Sequence, residues 1–235
     1  MTVQDILSEL AEMGNESTKK IFMRHGATEP IYGVKIGDLK KIQKIIKKDY
    51  QLALDLYATG NSDAMYLAGL IADEKKMTKA DLQLWIEQAT WQMLSEYAVA
   101  WITAESRFGA ELAREWIESD SEKIAAAGWS TWSSVVSIKP DNELDINELS
   151  LLLDRVQKDI HNSQNRVRYA MNGFVIAVGG YVAALIEKAF AVADSVGKVT
   201  VNMGNTTCDV PSASDYLDKI MAMNKIGKKK KMARC

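Results

Sequence analysis

Apolar residues recur at three- and four-residue spacing along almost the whole chain, and this regularity excludes most folds before any motif is considered. Ile6, Leu7, Leu10 and Met13 form one such stripe, and Leu39, Ile42, Ile45 and Ile46 form another. That spacing gathers side chains on one face of a helix, whereas a half-buried strand would alternate. Helix-start residues stand before the blocks: Thr2 before 3–13, Ser62 before 63–72, Thr78 before 79–88, Ser121 before 122–137 and Ser163 before 164–178. Thr78 and Asp81 have capping-box spacing, and Pro211 suits the opening turn of a last helix near 212–223. The one alternating stretch, Val199 to Met203, runs into Gly204-Asn205 without a partner strand and reads as an extended loop. The fold class expected is all-α.

Helices rich in small residues begin near 62, 91, 121 and 164, each preceded by an amphipathic helix near 51, 79, 106 and 145. Helix pairs at such a period are what a solenoid of repeats shows, because each pair buries its apolar stripe against the next. An irregular helical bundle is the alternative, since the blocks share little sequence.

In a chain of 235 residues, no Pro- or Ser-rich linker interrupts the pattern, so residues 1–224 read as one domain and 225–235 as a basic, flexible tail. No apolar run approaches the ~20 residues that span a bilayer, and the first residues lack a signal-peptide pattern, so a cytoplasmic protein without membrane attachment is expected. The two cysteines, Cys208 and Cys235, are too few for a disulfide framework and read as reduced thiols. No phosphate-binding loop, dinucleotide fingerprint or metal-ligand spacing occurs, so neither cofactor nor metal is expected.

The net charge of −2 conceals a lopsided distribution. Residues 219–235 carry seven cations and no acid, while residues 1–218 carry 22 basic and 31 acidic side chains, a balance of −9. A second basic cluster, Lys35, Lys40, Lys41, Lys44, Lys47 and Lys48, is opposed locally by Asp38 alone. Either cluster suits phosphates if it lines a groove, and otherwise it is solvated helix surface. Residues 51–218 hold 13 basic and 24 acidic side chains, which would instead suit a scaffold for a basic protein partner.

Leading into this second cluster, Tyr32-Gly33-Val34 feeds Asp38-Leu39-Lys40-Lys41-Ile42. This stretch resembles the N-terminal signature of the AlkD-type DNA alkylation-repair proteins. The resemblance extends less clearly to the Trp91 helix, the repeat at 121 and the helix start at 164. It implies a curved solenoid of HEAT-like helical repeats, an α-α superhelix, with a concave basic surface that cradles DNA. It also implies a site in which two tryptophans and an aspartate act on an N-alkylated purine, the carboxylate stabilising the oxocarbenium-like sugar.

Residue by residue, the resemblance puts the first tryptophan at Trp91, the aspartate at Ser95, one cation at Lys123 and the second aromatic at Phe174. A hydroxyl at Ser95 does not supply a carboxylate's field, and a regular helix turns the neighbouring Glu96 about 100° away. The expected nucleic-acid contacts are therefore Lys40, Lys44, Lys47, Trp91, Lys123, Arg166 and Arg168. Arg166 and Arg168 oppose a helix dipole in a first turn, which suits phosphate binding, or else they pair with Asp154 or Asp159. Asn172 and Gly173 offer a polar group and close backbone access on the same helix. Trp85, Trp101 and Trp116 read as core, Trp129 and Trp132 as either a recognition wall or an inter-repeat contact, and the loop 204–211 as packed with Cys208 buried. DNA binding with base excision lost or altered is the expected function; an active alkylpurine glycosylase and a protein-binding scaffold are the alternatives.

Overall fold

The computed structural model describes residues 1–234; Cys235 lies outside them. These residues are helical with irregular connections, and no strand occurs among them, the stretch 199–203 included. They form two compact units, one of residues 1–107, 203–207 and 234 and the other of residues 108–202 and 208–233. No compositional signal marks the division after Arg107.

The first unit contains α1 (Val3–Met13), α2 (Glu16–Arg24), α3 (Ile36–Ile46), α4 (Tyr50–Ala58), α5 (Ser62–Ile71), α6 (Lys79–Gln88), a π-helix (Met93–Val99) and α7 (Ala100–Glu105). Thr2 and Thr78 cap α1 and α6 in reciprocal boxes with Asp5 and Asp81, as their spacing indicates. At α5 the cap is Asn61, one residue before Ser62; its side chain accepts from the Asp63 and Ala64 amides. Every residue of α5 is buried, and α3, α4 and the π-helix pack around it. Tyr57 stacks on Trp85 at 4.2 Å and donates its hydroxyl to the Trp85 carbonyl at 2.7 Å, so this core is aromatic as well as aliphatic.

The Tyr32-Gly33-Val34 turn is clamped onto α5. Its three successive amides donate to the Asp63 carboxylate, at 2.6 and 3.1 Å to Oδ2 and 2.9 Å to Oδ1. Gly33 has φ +80°, and a Cβ there would lie 2.5 Å from the Lys19 nitrogen, so only glycine fits. Burial pushes the Asp63 carboxyl up, although the three amides pull it down. The Tyr32-Gly33-Val34 turn thus fixes the entry to α3 against α5.

The second unit contains α8 (Gly109–Trp116), α9 (Glu122–Ile138), α10 (Ile146–Asp159), α11 (Asn165–Tyr181), α12 (Ile186–Val196) and α13 (Ala213–Ala222), with single 3-10 turns between some of them. Helix α9 is central, packed by α8 and α11. A Cβ on Gly128 would lie 2.6 Å from the Ile117 nitrogen, so glycine sets that helix spacing. Ser163 does not cap α11; its hydroxyl donates to the Asp159 carbonyl, and the N-cap position is Gln164. Ser212, next to Pro211, caps α13.

The segment expected as a flexible basic tail makes defined contacts. In the second unit Lys229 Nζ donates to the Val136 carbonyl at 2.9 Å and pairs with Asp141 at 2.8 Å. In the first unit Arg234 is buried, paired with Glu74 and Glu105, and donates to the carbonyls of Leu70 and Ala72 at the end of α5. A guanidinium with five donors fits both tasks at once, satisfying carbonyls that a helix end leaves without partners.

Candidate nucleic-acid interface

Trp91 enters the structure just before the π-helix. Its ring packs against Phe22, centroids 5.5 Å apart, and its residual exposure is 7%. The indole Nε1 is buried without a hydrogen-bond partner. Gln92 donates to the His25 carbonyl, which ties the end of α2 to this turn. The expectation of an exposed, base-stacking Trp91 is therefore corrected: the ring is a core group of the first unit.

Ser95 is buried one turn on, and its hydroxyl points back to donate to the Trp91 carbonyl at 3.4 Å. It is a helix-satisfying hydroxyl and presents no charge. From Met93 to Val99 the helix widens to π form, a departure from the regular helix expected there. Glu96 therefore does not stand the ~100° from Ser95 that a regular helix would impose. Glu96 is 5% exposed, a buried carboxylate inside the irregular turn. Beside it, Tyr97 and Tyr66 meet Trp101 edge-on at 5.5 and 6.2 Å, extending an aromatic lining.

The lysines of α3 divide cleanly. Lys41 pairs with Asp38 at 2.7 Å and Lys48 with Glu74. Among the described residues Lys40, Lys44 and Lys47 have no carboxylate partner, and their spacing places them along one side of α3 and its cap. Lys47 is held at φ +66°, in the left-handed region, as the C-cap. Next to this row, Ile45 is 68% exposed.

In the second unit the expected cations are placed unevenly. Arg166 lies over the Tyr169 ring at 4.3 Å, and its amide donates to Glu122 at 2.7 Å. Asp154, one anticipated partner, is taken by Lys188. Arg168 has no ion pair, and its Nε is buried without a hydrogen-bond partner. Lys123 is half-buried and engaged, so it is not a free cation. A Cβ on Gly173 would meet nothing within 4 Å, so the α11 backbone is open there.

The remaining aromatics are corrected toward the core. Phe174 is fully buried, edge-on to Trp129 at 5.2 Å, and offers no face to a base. Trp129 and Trp132 are buried beneath Arg155 and Arg114, which are themselves paired with Glu118 and Glu148. Asn172 is buried and donates to the Pro211 carbonyl at 2.9 Å, a tie for the loop that precedes α13. Cys208, expected inside, is exposed. Two residues escaped the sequence reading: Asp63, whose helix-start position gave no sign of its distant amides, and Arg234, read as tail. Among the described residues no cluster of His, Cys, Asp and Glu could hold a metal ion, and no single helix is long and apolar enough to cross a membrane.

A family described as DNA alkylation repair enzyme matches residues 6–203. The uncharacterized protein Lmo0209 of Listeria monocytogenes is 37% identical over 225 residues, 93% of this chain and 97% of that protein. The uncharacterized protein Lin0241 of Listeria innocua is 36% identical over the same shares. A solved structure aligns over 100% of both chains with 40% identity and a TM-score of 0.93; it is described as a new family of proteins related to the HEAT-like repeat DNA glycosylases with affinity for branched DNA structures. The all-helical architecture is accordingly of the HEAT-like repeat type, and the chain belongs to the DNA alkylation repair enzyme family.

Proposed function

We infer that this protein binds branched DNA through its phosphates and has lost base excision. The observation that carries the reading is the row Lys40, Lys44 and Lys47 along α3 and its cap, three cations without carboxylate partners among the described residues in a chain that is acidic through its middle. Support comes from the relative of 40% identity whose description includes affinity for branched DNA. Excision needs an aromatic pair open to a base and a carboxylate beside the sugar. Trp91 packs on Phe22, Phe174 is enclosed against Trp129, and Ser95 turns its hydroxyl to its own helix.

Each phosphate neutralised contributes roughly −0.9 to the slope of log affinity against log salt. Three such contacts predict a loss of about 40-fold between about 50 and 200 mM salt. A titration of a four-way junction at both concentrations checks this; absence of binding at the lower one sinks the reading.

Introducing the acid by Ser95→Asp is expected to leave base excision absent. A buried carboxylate would face the Trp91 carbonyl oxygen, at a cost on the order of 3 kcal/mol in stability. Assaying N-alkylated duplex DNA for released base, with urea unfolding beside it, measures both effects; robust release would show a surviving site.

Base excision by Glu96 is the second reading, favoured by the burial of that carboxylate in a π-helix, a form frequent at functional sites. Base release by the unaltered protein that Glu96→Gln abolishes, with folding retained, would establish it.

A further inference from the structure

A pocket of about 340 Å3 lies at the ends of α11 and α13, within the second unit. Its apolar lining includes Tyr181, Ile220 and Met223, and its charged lining is Lys225, Lys228 and Lys230. Such a volume is at the lower end of the ~300–1,000 Å3 range of small-molecule sites. The backbone is bent to form it. Asn224 ends α13 at φ +53°, and Lys225 donates its amide to the Ile220 carbonyl at 3.1 Å. Gly227, at φ +71°, donates to the Gly180 carbonyl at 2.9 Å, and Lys230 donates its amide to the Ser137 carbonyl at 2.7 Å.

These lysines differ from their neighbour. Lys229 is held by Asp141 and the Val136 carbonyl, whereas Lys225, Lys228 and Lys230 have no carboxylate partner among the described residues. Lys230 Nζ lies 5.6 Å from the centre of the Tyr181 ring. Three ammonium groups around one small volume repel each other, and the partial negative charge at two helix ends offsets only part of that. An anion relieves the rest. Inorganic phosphate would leave the apolar lining unused, and Met223, 56% exposed, would stay in water. A ligand that unites phosphate with a flat apolar body fits both halves.

We propose that this pocket holds one unpaired nucleotide of a DNA strand, its phosphates against Lys225, Lys228 and Lys230 and its base against Met223, Ile220 and Tyr181. A base reaches such a lining only when it has left the duplex, and an apolar surface accepts any base because every base has a π-face. The proposal rests on the reading of the protein as a DNA binder and adds the single-stranded part of the substrate.

Fluorescence anisotropy with a labelled (dT)6 oligonucleotide and, separately, a fully paired four-way junction tests it. The triple variant Lys225→Gln, Lys228→Gln, Lys230→Gln is expected to weaken (dT)6 binding at least tenfold and junction binding less than twofold. Met223→Ser, which keeps every charge, is expected to weaken (dT)6 several-fold and leave the junction unchanged. Circular dichroism establishes that both variants are folded. Junction binding with (dT)6 affinity untouched by either variant overturns this inference and leaves the proposed function standing. Pocket-dependent (dT)6 binding without any junction binding does the reverse. Equal losses on both ligands, or lysine-dependent capture by phosphatidylglycerol vesicles without (dT)6 binding, would also overturn it.

Discussion

Helix α3 and the C-terminal segment are the two lysine-rich stretches of this chain, and the structure uses them differently. On α3 the paired and unpaired lysines alternate around the helix, leaving Lys40, Lys44 and Lys47 as a row without carboxylates. Near the C-terminus anchored and pocket-lining cations interleave along the chain: Lys229 and Arg234 are anchored, while Lys225, Lys228 and Lys230 line a pocket. A run of positive charge therefore carries little information by itself. What decides its role is which carboxylates and carbonyls the fold brings against it.

The largest effect is expected at the anchored end. Arg234→Ala removes the buried guanidinium that Glu74 and Glu105 share, leaving Lys48 on Glu74, and strips the α5 carbonyls of a donor, so a loss of about 3 kcal/mol is predicted by urea unfolding. Affinity for DNA should be unchanged under conditions where the variant is folded. A lower affinity there would erase the distinction between anchoring and binding cations.

The next effect is on binding. Lys40→Gln, Lys44→Gln and Lys47→Gln together should reduce the magnitude of the salt slope for a four-way junction by about three units, each lysine accounting for about one. Stability should stay within about 0.5 kcal/mol, as for surface substitutions generally. An unchanged slope would mean that the row is only solvated surface.

Acid should weaken the anchored end selectively. Burial pushes the Glu74 carboxyl up, but Lys48, the Glu74 amide and Arg234 together hold it below the usual carboxylate range. Because the folded value is depressed, its stabilising contribution is complete above the unfolded carboxylate value of about 4.3 and fades as pH falls through the lower folded value. Unfolding at a series of pH values should show a steeper loss of stability toward acid in the natural protein than in Glu74→Gln.

The smallest effect is predicted for the exposed pair Lys41 and Asp38, where Lys41→Gln should cost less than about 1 kcal/mol and leave DNA affinity within about threefold. A larger loss of affinity would move Lys41 into the binding row.

Helices could be read along most of the chain because a 3.6-residue stripe and local caps such as Thr2–Asp5 and Thr78–Asp81 are written within a few residues. The candidate site was legible only in part. Trp91, Ser95 and Phe174 were located by resemblance, but the packing of Trp91 on Phe22 and of Phe174 on Trp129 joins residues far apart in the chain, and no local pattern encodes it. The π-helix was missed for a related reason. One extra residue in a turn barely alters the apolar stripe, yet it changes which side chains lie over one another.

The sequence by itself determined the helical class, the caps of α1 and α6 and the family, since these rest on short-range periodicity and on a contiguous motif. Tertiary structure decided what the Tyr32-Gly33-Val34 motif does, by setting its three amides on Asp63, about thirty residues away. It decided as well which cations are paired within the protein and which have no carboxylate partner among the described residues. The charge of a lysine is local, but its partner is chosen by the fold, and an ion pair or buried carbonyl brought from a distant segment removes that charge from the surface.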